Sequence, residues 1–235
     1  LKAYPEGALA AEASFKLGEA YLAVGKAREG REMLSRAEEK WADSPFAPLA
    51  VEKLGDSYSP LGSADKEARK KGLAHYERFL KRYPQHERAP AVAFKIAETE
   101  RLSGELEAAI AAYRDLCARF PKSDLAPQAQ FAIGTSFLAR DEYEKAREEW
   151  ARFLGAYPNH PRFAEAQRAI VQALFKKAQD LCDAKKLEGA EEAFRAFLKE
   201  YPVDALSPRA ALMVARTLLW RSEPKKAAEE FAVVA

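Results

Sequence analysis

Cysteine is nearly absent. Cys117 and Cys182 stand 65 residues apart, and neither belongs to a C-x-x-C or metal-spaced pair, which leaves two unrelated core thiols. There are three histidines, His75, His86 and His160, and none shares a metal-ligand spacing with a cysteine or an acid. No Ser-His-Asp or Cys-His set falls at a break between elements, and no glycine-rich loop could cradle a phosphate. The sequence therefore offers no catalytic residue, no metal site and no cofactor site. Val, Ile and Thr are scarce, so little of the chain favours a strand. No apolar run approaches the ~18 residues of a membrane span, so this chain is not expected to insert directly into a membrane. Charge of one sign is missing too. The formal net charge is +2, with acids and bases interspersed, which argues against nucleic acid or an anionic membrane as the partner. No signal peptide is visible. The chain opens on Leu1 and stops inside a helical pattern at Ala235, so it reads as a piece of a longer protein.

What is present is a rhythm. Ala, Glu, Lys, Leu and Arg dominate, and these are strong helix formers. Aromatic-Pro pairs recur at Tyr4-Pro5, Tyr83-Pro84, Phe120-Pro121, Tyr157-Pro158 and Tyr201-Pro202, with Trp41-Ala42 in the equivalent place. Each is followed by a small residue: Gly18, Gly55, Ala97, Gly134, Ala178 and Ala215, spaced by 37, 42, 37, 44 and 37. A unit of 37 thus recurs with one insertion of five and one of seven. The residues one before the small one (Leu17, Leu54, Ile96, Ile133, Lys177, Val214) and three after it (Tyr21, Tyr58, Glu100, Phe137, Leu181, Leu218) share its helical face. This is helix A. A second small residue (Gly30, Gly72, Ala109, Ala146, Ala190, Ala227) is followed four later by Leu34, Tyr76, Tyr113, Trp150, Phe194 and Phe231. Three beyond those come Ala37, Phe79, Leu116, Phe153, Phe197 and Val234, the stripe of helix B.

Short breakers join A to B, so the two are antiparallel neighbours. The aromatic closes helix B, and the proline after it cannot continue the helix. Two residues after each proline position stands Gly7, Ser44, His86, Ser123, His160 or Asp204, where Ser and Asp suit capping of the next helix. A turn role explains His86 and His160 better than metal or catalysis. Seven inserted residues make about two helical turns and keep the apolar stripe in phase, which predicts one long helix from Arg162 to about Ala184. The five-residue insertion near Ser59-Pro60-Leu61-Gly62-Ser63 reads as a longer A-to-B turn.

Leu17-Gly18-x-x-Tyr21, Ala146-x-x-x-Trp150, Ala190-x-x-x-Phe194 and Ala227-x-x-x-Phe231, in units closing with proline, resemble the tetratricopeptide repeat. "SFKLGEAY", "FLKRYPQH" and "ADSPFAPLA" resemble repeats of the periplasmic Tol–Pal coordinator and of the lipoprotein of the outer-membrane β-barrel assembly machine. The resemblance points to a bacterial periplasm or cell envelope, although cytoplasmic scaffolds share these features and the compartment stays open. It implies an all-α solenoid of antiparallel helix hairpins, a right-handed superhelix whose A helices line the concave wall. The expected domain is one solenoid over 1–235 with about six repeats, at 6–41, 44–83, 86–120, 123–157, 160–201 and a truncated 204–235.

In that family the groove is lined by helix A positions −6, −3, −2, +1, +4 and +5 from the small residue. The candidate partner-binding residues are Phe15, Lys16, Lys53, Phe94, Lys95, Arg101, Phe131, Phe175, Lys176, Arg209 and Arg216. Lysines beside aromatics suit an extended acidic peptide, with ammonium groups on the acids and rings on apolar side chains. The bland reading stands beside it. Lys16/Glu19, Lys53/Asp56 and Lys95/Glu98 are i,i+3 pairs that support a helix with or without a ligand, and the Phe row would serve equally to pack one A helix on the next. Position +1 is acidic in three units, which departs from the carboxylate clamp of chaperone-binding repeats. The expected function is a non-catalytic protein-interaction scaffold taking a protein or peptide, acidic if the lysine row binds it. The alternatives are a regulatory or substrate-docking arm of a larger enzyme and, less well supported, a nucleic-acid-binding helical repeat.

Overall fold

A computed structural model describes residues 9–58 and 65–234. Tyr4-Pro5, Gly7, the insertion at 59–63 and the side chain of Val234 lie outside the described residues. Among the described residues every regular element is an α-helix. In chain order these are α1 (Ala10–Ala23), α2 (Ala27–Lys40), α3 (Phe46–Tyr58), α4 (Lys66–Arg82), α5 (Ala89–Leu102), α6 (Leu106–Arg119), α7 (Leu125–Leu138), α8 (Tyr143–Ala156), α9 (Phe163–Asp183), α10 (Leu187–Glu200), α11 (Ser207–Trp220) and α12 (Pro224–Val234). They fall into two compact units, 1–129 and 130–235, divided within α7. In the first, each helix from α1 to α5 packs on the next, and α1 also touches α3. In the second, α8 to α12 pack consecutively in the same way, and Phe131 and Gly134 of α7 meet Trp150 of α8. The architecture is an all-α solenoid type built from successive helical hairpins.

The A-to-B turns share one geometry. Gly25, Gly104, Asp141, Lys185 and Ser222 all have positive φ, between 57° and 81°. Around each, two backbone bonds close the preceding helix. Lys26 N–H donates to Tyr21 O while Gly25 N–H donates to Leu22 O, and Glu105, Glu142, Lys186 and Glu223 repeat the first bond onto Glu100, Phe137, Leu181 and Leu218. This is the Schellman arrangement, which consumes the last orphan carbonyls of the helix.

The B-to-A junctions are equally uniform. Tyr83, Phe120, Tyr157 and Tyr201 donate their backbone N–H to the residue four before them and then leave helical geometry. Ser44 Oγ accepts from Phe46 N–H, and Ser123 Oγ from Leu125 N–H, both at 3.2 Å. Asp204 Oδ1 accepts from Leu206 N–H at 2.8 Å. His86 and His160 do the same job with Nδ1, accepting from Arg88 and Arg162 N–H at 3.1 Å. Each ring also stands edge-on to an aromatic of the preceding B helix, Phe79 or Phe153. The two histidines are turn residues, and their place in the repeat explains them.

Small and bulky residues form the spine. Gly18, Gly55, Ala97, Gly134, Ala178 and Ala215 are all buried. A Cβ on Gly18 would meet Leu34 at 2.7 Å, and one on Gly134 would meet the Trp150 ring at 2.5 Å; on Gly55 it would collide with the Tyr76 ring. The partners at the other three positions, Tyr113, Phe194 and Phe231, are matched to alanine instead. At Gly134 the ring is a fully buried indole that occupies the space a Cβ would need, so only glycine fits. Gly134→Ala is expected to cost about 1–3 kcal/mol, since the rigid ring must move within a packed interior. Chemical denaturation of the variant checks this, and a change within about 0.3 kcal/mol would show the contact to be slack.

The insertions are absorbed differently. The seven-residue one becomes helix: α9 is continuous over 21 residues, with Arg162 and Ala184 as its caps. After the five-residue one, α4 has 17 residues where α2, α6, α8 and α10 have 14, so this B helix begins earlier relative to its small residue Gly72. Asp65 caps α4 by accepting from Glu67 and Ala68 N–H at 3.0 Å.

On α4, His75 stacks on Tyr58 of α3 with ring centroids 5.3 Å apart, and Arg78 donates to its Nδ1 at 2.7 Å. Burial, reinforced by the positive charges of Arg78 and Arg31, pushes its pKa down to about 4. An unfolded histidine titrates near 6.5. Between these values the unfolded chain binds a proton that the folded chain refuses, so stability falls as pH drops through this window. His75→Gln lacks that slope. Its stability relative to the parent should therefore improve between pH 7.5 and pH 5 in denaturant titrations, and an equal difference at both pH values would contradict the assignment.

Candidate functional site: the cleft between α9 and α11

The second unit carries a cleft of about 530 Å³ between two A helices, lined from α9 by Gln172, Phe175, Lys176, Gln179, Cys182 and Asp183. Counted from Ala178, these are positions −6, −3, −2, +1, +4 and +5, the whole set expected to line the groove. Asp180 completes that wall, and Leu206, Arg209, Met213 and Trp220 form the other. The long α9 presents this set because its seven extra residues extend the helix without turning its stripe.

Phe175 forms the floor. It is only 4% exposed and lies edge-on against Phe194 and Phe197 of α10. Arg209 spreads its guanidinium 5.5 Å from the centre of that ring. Lys176 donates to Asp180 at 2.6 Å and to the Tyr143 hydroxyl at 3.1 Å, while Tyr143 itself donates to Asp180. These bonds hold the Lys176 ammonium well above its ordinary pKa; burial and the bond to Asp180 push the Tyr143 hydroxyl up to about 12. Burial, with a smaller push from Asp183, raises the Cys182 thiol, so it stays protonated and inert. Cys117 is likewise a packing thiol, with Sγ 3.5 Å from Ala126 O.

The other expected groove residues are scattered by what they touch. Phe15 and Phe131 are buried, against Phe46 and against Trp150 and Phe153, and the half-buried Phe94 lies against Tyr113. These rings serve the interior more than an open wall. Lys16 pairs with Glu19 at 2.9 Å, and Lys53 reaches back to Glu19 at 3.8 Å. Lys95 bonds both Glu52 and Asp56 at 2.7 Å, and Arg101 forks onto Glu98, which also accepts from Tyr113. The acid at +1 of one A helix therefore takes the lysine at −2 of the next, through Glu19–Lys53 and Asp56–Lys95. Glu52, buried among these charges, also takes Arg88. Arg216 is exposed on α11. Trp220 was not singled out from the sequence, although it stands at +5 from Ala215 and the groove rule covers it. It is 53% exposed, unusual for an indole.

Successive hairpins with this spine and an A-helix cleft define a tetratricopeptide-type repeat protein. Residues 86–216 match the family profile YfiO, described as outer membrane lipoprotein, and the chain belongs to that family. No curated protein matches the chain. Among solved structures, a tetratricopeptide repeat protein from Parabacteroides merdae is similar at 15% identity, covering 95% of this chain and 78% of its own with a TM-score of 0.52. PilF of Pseudomonas aeruginosa is 15% identical, with 94% and 88% covered and a TM-score of 0.41. PilW, a widely conserved type IV pilus biogenesis factor, is 16% identical, with 97% and 93% covered and a TM-score of 0.43. No described helix is long and apolar enough to cross a membrane.

Proposed function

We propose that this chain is a non-catalytic protein-interaction scaffold that seats an extended segment of a partner protein in the α9–α11 cleft. The observation that carries the reading is the convergence of all six groove positions of α9 on one cleft with an aromatic floor, a guanidinium and an exposed indole. Exposed tryptophan and arginine are the side chains that most often dominate protein interfaces. Most of the lysine row is engaged by neighbouring acids, which weakens the case for a uniformly acidic partner along the A helices and concentrates it on the arginines. The family description supports a place for the parent protein at the bacterial envelope.

Selection of displayed random peptides on the immobilised chain tests the proposal. Selected peptides should lose about thirtyfold in affinity on Trp220→Ala, as for a hot spot of about 2 kcal/mol. The side chain is exposed, so the fold should survive the change. Binders indifferent to Trp220 would overturn the assignment of the cleft.

A further inference from the structure

The cleft has a polarity. α9 and α11 are both A helices, each followed by an antiparallel B helix, so they run parallel. Arg209 stands in the first turn of α11, over Phe175, at the end of the cleft marked by Gln172. Asp183 is the last residue of α9, at the end marked by Trp220, the last residue of α11. No acid among the described residues pairs with Arg209, and no cation among them pairs with Asp183. The other two charges lining the cleft, Lys176 and Asp180, neutralise each other, and the exposed Arg216 of α11 lies outside the lining.

Both unpaired charges sit at the wrong end of their own helix. A cation in the first turn opposes the positive N-terminal end of the helix dipole, and an acid in the last turn opposes the negative C-terminal end. Local helix stability therefore does not account for either. Each adds to the field of the helix end it occupies, so among the side chains lining the cleft the unpaired cation stands at one mouth and the unpaired acid at the other. Trp220 lies eleven residues along α11 from Arg209, roughly 16 Å at 1.5 Å per residue. That is the reach of about five residues of extended chain.

We propose that the cleft selects a dipolar segment: a carboxylate on Arg209, an apolar side chain against Phe175 and Met213, and about four residues away a cation held by Asp183 and the face of Trp220. This rests on the cleft being the docking site and adds which chemistry it takes at each end. A uniformly acidic segment would satisfy Arg209 and be repelled at the far end.

The test uses fluorescein-labelled peptides with the cores Glu-Ala-Leu-Ala-Lys, Lys-Ala-Leu-Ala-Glu, Glu-Ala-Leu-Ala-Glu, Lys-Ala-Leu-Ala-Lys and Gln-Ala-Leu-Ala-Gln, titrated by anisotropy at low salt. One of the two dipolar orders should bind about tenfold or more tighter than every other core. The double reversal Arg209→Glu with Asp183→Lys should exchange the preferred order. Both positions are exposed, and each new charge suits its helix end, so the thermal midpoint should not fall. A doubly acidic core that binds as tightly as the better dipolar one, or a preference unmoved by the double reversal, overturns the proposal. If that binding still needs Trp220, the cleft survives and only its polarity falls. If no core binds, or binding ignores Trp220→Ala, cleft and polarity fall together.

Discussion

Trp150→Ala is expected to lower stability by about 3–5 kcal/mol, among the larger effects of a single truncation. The indole is 1% exposed, with its ring laid on Gly134 and tilted against Phe131 at 6.0 Å. Its Nε1–H donates to the Phe131 carbonyl at 3.2 Å. The cost should approach the upper part of that range because the surroundings cannot collapse into the space. Gly134 has no side chain to advance, and the Phe131 and Phe153 rings hold each other edge-on at 5.6 Å. Trp150→Phe retains most of the volume and should lose roughly a third as much. Guanidinium unfolding followed by far-ultraviolet circular dichroism measures both. A loss under about 1 kcal/mol for the alanine variant would mean that the ring is not the hinge of its hairpin.

Arg88→Ala should cost about 2–4 kcal/mol, the penalty for stripping a partner from a buried carboxylate. The Glu52 side chain is 4% exposed. It accepts from Arg88 Nη2 at 2.9 Å and Nε, and from Lys95 at 2.7 Å. Without Arg88, Glu52 and Asp56 must share the single Lys95 ammonium, while Asp56 keeps the Tyr76 hydroxyl at 2.7 Å. Lys95 remains, which holds the expected loss below that of a fully abandoned charge. Burial alone would raise the Glu52 carboxyl, but the bonds from Arg88 and Lys95 outweigh it and hold it below the usual carboxylate range. A depressed carboxyl contributes stability that is present above its unfolded pKa, about 4.3, and is lost as pH falls through the folded value. The gap between parent and variant should therefore shrink from pH 7 to pH 3. A gap of constant size would assign the loss to packing of the Arg88 stem.

The hairpins could be read from the chain because their determinants are local and periodic. The small residue at the centre of helix A and the bulky one on helix B recur in step, and the seven-residue insertion keeps that step, so α9 was legible as one helix. The turn role of His86 and His160 was legible from the Ser and Asp that replace them in other repeats. Their acceptance of a backbone N–H through Nδ1 shows that imidazole meets the same need as a hydroxyl or carboxylate there. The fate of the charges was not legible. Lys53/Asp56 and Lys95/Glu98 look like pairs within one helix, yet Lys53 reaches Glu19 and Lys95 reaches Glu52 and Asp56 on the preceding A helix. Periodicity places residues on a face; it does not say which neighbouring face lies within reach.

The sequence by itself determined the secondary structure, the pairing into hairpins and the positions that face along the A helices, since each follows from side-chain volume repeating with the period of a helix. Only the tertiary structure decided that Phe15, Phe131 and Phe175 are all buried against neighbouring rings while Phe175 also floors a cleft, and that Arg209 and Asp183 keep unpaired charges while the lysines largely do not. Those outcomes depend on distances between helices far apart in the chain, where one residue in each repeat either finds an opposite charge or a ring to cover it, or stays exposed.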